Sequence, residues 1–394
     1  MNKLLSATLI ILALSPIASA DPHVRHHSQD YILEHDVTLS TGQTIRAGTQ
    51  WYKAPDFRRL KNELGRNQFQ GSQKWAQQVL FGREIIYDTY YTIGEGRRDG
   101  LPPLAKGRIM NCTNCHAQEG TMPYAWPFFR TLTHFGQKEN GDKGKYFANL
   151  GYYRDTKIRT RDCARHCGGF IEIPQDSFEM DALLAWIKVV RDGIYEGEGL
   201  LIPEFKSQAD VDRIPGARIP LFNNILTMKA DPLRGQQLYQ QQCESCHSSD
   251  GKGLWREGEG FAIPPVSGPG AFSEAGGPMM IPVGAAFLKY NMPLARGRTM
   301  PEQDALDVMA YISKMPRDTV WWENYYFRHN PCSRPAFLPK NIGSLPEGFP
   351  FSLEQSRFGP WLEVSNWLKS DTCLNKNPIN TPILSVDFNP RHSK

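Results

Sequence analysis

Beyond its first twenty residues, the 394-residue chain has no apolar run near the ~20 residues that a membrane-spanning helix needs. It also lacks a strong charge of one sign. Its 45 Lys and Arg stand against 41 Asp and Glu, for a formal net charge of +4. Removing the N-terminal leader with Lys3 lowers that further, too little to imply nucleic acid or a membrane surface as partner. The apolar stretch 4–14 is itself too short to cross a bilayer. With Lys3 before it and Ala18-Ser19-Ala20 after it, it reads as a signal peptide cleaved after Ala20. Cysteine is scarce, at 8 residues, so its clustering carries information.

Two clusters stand out. Cys112-Thr113-Asn114-Cys115-His116 and Cys243-Glu244-Ser245-Cys246-His247 each set two thiols three positions apart with an imidazole beside the second. Covalent haem attachment needs this arrangement: the thiols form thioethers with the porphyrin vinyl groups, and the histidine reaches the iron. Independent placement of 8 Cys and 10 His gives about 0.004 such matches, so two are not accidental. We read two covalently bound haem c groups, held by Cys112, Cys115, Cys243 and Cys246, with His116 and His247 as proximal ligands. Such haem is attached outside the cytoplasmic membrane, so a bacterial periplasm is the expected compartment. That compartment also permits disulfides.

Each motif sits inside the same order of elements. The spacing predicts a helix over 73–91 before the first motif and another over 178–190 after it, capped by Asp176 or Ser177 and ended by Gly193. Asp231-Pro232 starts a helix over 233–242 that runs into Cys243, and 302–314 closes the second unit. Gly82 and Gly235 would let opening and closing helices cross closely, against Trp186 and Tyr311. The expected fold is mainly α: two cytochrome c-type domains in tandem, with a small N-terminal β-containing segment and an irregular C-terminal extension. The boundaries are 1–20 leader, 21–70 N-terminal extension, 71–195 first domain, 196–229 linker, 230–317 second domain and 318–394 extension. A hairpin is expected within 31–46. His23, His26 and His27 read as part of a solvated tail. The extension carries Trp321, Trp322, Tyr325, Tyr326 and Phe327, and a Cys332–Cys373 disulfide there would contribute about 3–4 kcal/mol in the loop-entropy model.

The sixth ligands differ between units. Asn291-Met292-Pro293 follows His247 and precedes the closing helix, which makes Met292 the expected distal ligand of the second iron; Met279, Met280 and Met300 are less well placed. Methionine there stabilises ferrous iron and raises the potential. The first unit has no such tripeptide. His134, Met122 and the stretch Arg159-Thr160-Arg161-Asp162-Cys163-Ala164-Arg165-His166-Cys167 hold its candidates. Guanidinium groups favour a thiolate and can bind an oxyanion. By composition alone a Cys163–Cys167 or longer-range disulfide competes evenly with a ligand role.

These features together resemble the dihaem c-type thiosulfate dehydrogenases, over roughly 82–316. The likeness lies in Gly82-Arg83-Glu84-Ile85-Ile86-Tyr87-Asp88-Thr89, Ile93-Gly94, Asn111 with the first motif, and Asp176-Ser177-Phe178-Glu179-Met180. In the second unit it lies in Arg234-Gly235, Leu238-Tyr239, Gly268-Pro269, Ala271-Phe272, Asn291-Met292-Pro293 and Asp307-Val308 with Ala310-Tyr311-Ile312. The resemblance implies a catalytic first haem with histidine and cysteine ligands. Counting back from Ile173-Pro174 it assigns that cysteine to Cys163, with Cys167 as substitute, and makes Arg159, Arg161 and Arg165 the groups that meet thiosulfate. It also implies tetrathionate as product and a soluble cytochrome or similar electron acceptor. The chain departs in its extra Cys167, in Asn291 where a lysine alternate would stand, and in its two extensions. A non-enzymatic electron shuttle and a tetrathionate reductase or other sulfur-oxyanion enzyme are the competing readings; a dihaem peroxidase matches less well.

Overall fold

A helix forms readily where a side chain can satisfy its first backbone N–H groups, and three of the four helices that frame the haem motifs start that way, the fourth following Pro301. A computed structural model of the chain describes residues 30–104, 110–135, 145–147, 152–167, 173–258, 260–274, 276–294, 296–317, 331–333, 336–337 and 345–377. The leader, His23, His26, His27 and the aromatic run Trp321 to Phe327 lie outside the described residues.

In the first unit Ser72 accepts from the Trp75 N–H and starts the helix Gln73–Tyr87. The expected continuation to residue 91 is interrupted: Asp88 leaves helical geometry at φ −133°, and a short helix, Thr89–Ile93, follows. The break turns Thr89 toward the haem motif. Ser177 caps the closing helix Phe178–Asp192, which ends at Gly193 with φ 80°. These helices cross where Gly82 meets Ala182, because a β-carbon at Gly82 would overlap the Ala182 carbonyl. The expected partner, Trp186, lies one turn further on, and its indole N–H donates instead to the Glu119 carbonyl at 2.8 Å.

The second unit repeats the crossing. Asp231 accepts from Leu233 and Arg234, Pro232 occupies the first turn, and the helix runs Pro232–Gln242. The closing helix is Glu302–Lys314. Gly235 faces the Asp307 carbonyl and stands 3.1 Å, measured from a built β-carbon, from Tyr311 Cβ. Arg234 pairs with both Asp304 and Asp307. Asp307 is buried and also accepts from the Asp231 N–H and Gln303 Nε2 at 2.8 Å each. This unit also holds a helix that the spacing did not predict, Ile281–Asn291, which has proline in its first turn and ends at Met292.

The β content is small. Val37–Thr38 and Thr44–Ile45 form the expected hairpin, while Tyr31–Ile32, Gln50–Lys53 and Gly199–Leu200 make a three-stranded antiparallel sheet. Hydrophobic burial gathers these strands onto the first unit. Leu33, Leu39, Trp51, Tyr52 and Leu60 share a core with Val79, Ile85, Phe129 and Trp186. Leu200, Phe205, Val211 and Ile214 join the same core. Fully burying such a side chain contributes about 1.5–3 kcal/mol.

A second core contains Tyr239, Ala285, Leu306, Met309 and Ile312. The described part of the C-terminal extension belongs to it through Trp361, Val364 and Leu368. Three short helices, Leu353–Phe358, Leu362–Leu368 and Asp371–Lys376, carry these residues. Cys332 and Cys373 are joined in a disulfide. Among the described residues no helix is long and apolar enough to cross a membrane.

Candidate redox site

The first haem motif is held from three directions. Asn111 donates its N–H to Asn114 Oδ1 at 2.8 Å and accepts the Tyr90 N–H at 3.1 Å. The Cys112 N–H reaches Thr89 Oγ1 at 2.9 Å, and the Thr89 hydroxyl lies 3.2 Å from the Cys112 sulfur. Behind the motif, Gln118 and Glu119 adopt left-handed φ of 51° and 53°. Such strain persists where surrounding contacts over-determine it. Tyr31 donates to Gln118 Oε1 at 2.8 Å, and Glu119 forms a buried ion pair with Arg83 at 3.3 Å. The N-terminal strands therefore brace the loop that follows the haem motif.

His116 Nδ1 lies 2.6 Å from the Trp126 carbonyl. A carbonyl only accepts, so Nδ1 carries the proton and Nε2 keeps its lone pair for a metal. His247 repeats the arrangement with the Pro264 carbonyl at 2.9 Å. Burial holds the His247 imidazole below its usual range, against the effect of that carbonyl, and so favours the neutral, ligating form. Both acceptor carbonyls precede a proline, Pro127 and Pro265. That is a local signal the sequence reading passed over.

Cys112, Cys115, Cys243 and Cys246 are not in disulfides. Burial pushes Cys112 and Cys243 up to about 11 and Cys115 up to about 12. Two thiols and a lone-pair imidazole in each motif fit a covalently bound haem c.

Asp155 accepts from the Ile158 N–H and starts the helix Thr156–His166, with Cys167 as its last cap. On one face of this helix, residues four apart line up. Arg159, Cys163 and Cys167 share that face, and Cys163 lies close enough to the His116 imidazole for that ring to act on its thiol. The Cys163 and Cys167 sulfurs are 3.5 Å apart and unbonded. The Cys167 thiol hydrogen-bonds to Cys163 and holds it well below the usual thiol range; burial opposes this, while Arg159 and His116 assist. Cys167 is pushed well above that range, first by the same hydrogen bond and then by burial.

The three arginines do not act together. Of the three, Arg159 is the one whose charge acts most strongly on Cys163. Arg161 turns away and pairs with the buried Asp162 at 3.2 Å. Arg165 falls two residues from Cys163, off the shared face. His134 accepts from Arg130 at 2.8 Å, and the His166 side chain lies outside the described residues.

Met292 caps the Ile281–Asn291 helix and is half-buried. Its neighbour Asn291 donates to the Tyr124 carbonyl at 2.9 Å and to Phe287 at 3.0 Å. Trp126, whose carbonyl holds His116, stacks on Phe287 with centroids 4.6 Å apart, and Tyr124 stacks on Tyr290 at 4.7 Å. The segment after the first motif thus packs against the helix leading to Met292.

Residues 230–312 match the family described as cytochrome C oxidase, cbb3-type, subunit III. The chain is 25% identical over 318 residues to a thiosulfate dehydrogenase of Stutzerimonas stutzeri, covering 80% of this chain and 87% of that protein. It is 22% identical to the thiosulfate dehydrogenase of Psychrobacter arcticus, covering 72% and 73%, and 24% identical to that of Allochromatium vinosum, covering 61% and 79%. A solved structure titled thiosulfate dehydrogenase (TsdBA) from Marichromatium purpuratum, in its as-isolated form, aligns with TM-score 0.46 and 22% identity. The alignment covers 62% of this chain and 46% of that one, less than half the solved chain's length. With the motif geometry above, the family match and the curated relatives point to a c-type cytochrome that carries haem c. Within that class the chain is an oxidoreductase similar to the thiosulfate dehydrogenases.

Proposed function

We propose that the chain is a periplasmic dihaem enzyme that couples two thiosulfates into tetrathionate and passes the electrons to an external acceptor such as a soluble cytochrome. Haem c, when bound, supplies one-electron acceptor capacity, and two of them suffice for a two-electron oxidation.

The observation that carries this reading is the Cys163 sulfur set against the His116 imidazole with Arg159 beside it. His116 would be the proximal ligand of the first haem, through Nε2, and Cys163 the distal one. His247 and Met292 would hold the second. Arg159 neutralises a sulfonate and orients thiosulfate with its terminal sulfur toward Cys163. The Cys163 thiolate and thiosulfate give up two electrons and join as Cys163–S–S–SO3⁻. A second thiosulfate attacks the outer sulfur of that link, tetrathionate leaves, and the thiolate returns. Because two dianions must approach each other, cationic groups lower the cost of the second encounter. Thiolate ligation lowers a haem potential and thioether ligation raises it, so haem held by His116 and Cys163 would supply the electron donor and haem held by His247 and Met292 the acceptor.

The test is Cys163→Gly in the haem-loaded protein, assayed with thiosulfate and an artificial acceptor. We expect a loss on the order of 10³-fold or more, as for other removed nucleophiles. Wild-type activity in this variant would overturn the proposal.

A further inference from the structure

Cys167 has no task in the cycle above, yet its sulfur is 3.5 Å from Cys163 and no disulfide joins them. The other sulfurs close enough to influence Cys163 are Cys112 and Cys115, which thioether formation would consume. Cys167 is therefore the thiol left to react with anything attached to Cys163. Its backbone ties it to the second unit: its carbonyl accepts from the Ser273 N–H at 3.3 Å. Residues 273–280 lead directly into the helix that ends at Met292.

We propose that Cys167 is a resolving thiol, and that tetrathionate closes Cys163 and Cys167 into a reversible disulfide that takes the first site out of service. The proposal rests on the thiosulfate reading of that site. Cys163 thiolate attacks an inner sulfur of tetrathionate, breaks the central S–S bond and releases one thiosulfate. Cys163 is left as Cys163–S–S–SO3⁻. The Cys167 thiol, losing its proton, then attacks Cys163 Sγ; the new Sγ–Sγ bond forms as the bond to the outer sulfur breaks, and a second thiosulfate leaves. One thiolate and one thiol are oxidised, one tetrathionate is reduced to two thiosulfates, and one proton is released. No further oxidant is required.

The geometry makes this disulfide a switch. Residues four apart on a helix hold their β-carbons about 5–6 Å apart, whereas a disulfide needs about 3.5–4.5 Å. Cys167 caps the helix, so only the last turn must tighten, and the closed form is strained. Strained disulfides reduce easily and are the labile, regulatory kind. Closing also shifts the Cys167 backbone, whose carbonyl holds the Ser273 N–H, and so carries the change to the segment before Met292.

The haem-loaded protein, reduced and then treated with tetrathionate alone, should become lighter by two hydrogens in its intact mass and yield a Cys163–Cys167 cross-linked peptide. A phosphine reductant should restore both the mass and the thiosulfate-oxidising activity. Cys167→Ser should instead stop at a species heavier by one bound thiosulfate group, which added thiosulfate discharges. Wild type that stops at the same adduct as Cys167→Ser, without cross-link, would overturn the inference. Disulfide closure in a protein that fails to oxidise thiosulfate would remove the functional reading and leave the dithiol chemistry standing. Thiosulfate oxidation without closure would do the reverse.

Discussion

Arg159 and Arg161 carry the same charge two residues apart, yet a helix points such neighbours in nearly opposite directions. Arg159 lies one turn before Cys163 and influences it, whereas Arg161 is occupied by buried Asp162. A hydrogen bond to a charged group contributes about 1.5–3 kcal/mol. Arg159→Gln should therefore raise KM for thiosulfate by about 10–100-fold. Arg161→Gln should leave KM within about threefold and lower thermal stability instead, since it removes the ion pair of a buried carboxylate. Steady-state kinetics and melting curves on the two variants check this; equal KM effects would return Arg161 to the substrate site. Composition displayed three arginines near two cysteines. Which one faces the sulfur became visible only once Asp155 fixed the start of the helix, and so its phase.

At the scale of elements, each unit depends on a glycine where two helices touch backbone to backbone. A β-carbon at Gly235 would meet the Asp307 carbonyl, which is main chain and cannot rotate away. Gly235→Ala should open the crossing, cost about 1–3 kcal/mol or more, and reduce covalent haem content. Gly65→Ala is the control, since no atom lies within 4 Å of an added β-carbon there. Equal melting temperatures and haem content in the two variants would mean the crossing tolerates side chains. The framing helices were readable because their stripes, caps and terminal glycine all agreed. The break at Asp88 was not, because Thr89 leaves the helix to serve Cys112, a partner 23 residues away. The Ile281–Asn291 helix was hidden by the glycine and proline around it. Its stability comes from packing Ala285 and Ala286 in the second core rather than from propensity.

Across the whole molecule, two similar units are joined by a seam of aromatic rings and one amide. Trp126 on Phe287, Tyr124 on Tyr290, and Asn291 on the Tyr124 carbonyl couple the loop behind His116 to the helix behind Met292. The repeated order of elements in the chain pointed to two units of one kind. This seam was not visible there, because residues 124 and 290 are far apart in sequence and join only through tertiary packing. The two halves differ at the sulfur each presents, a cysteine beside His116 and a methionine after the Ile281–Asn291 helix. That asymmetry is the central claim, because under the proposed function it would make one centre a place for sulfur chemistry and the other a conductor. Electron paramagnetic resonance of the oxidised, haem-loaded protein and its Cys163→Gly variant tests it most directly. The account predicts two low-spin haem signals, one with the narrow g-spread of thiolate ligation, and loss of that signal alone in the variant; two histidine–methionine signals that the substitution leaves unchanged would contradict it.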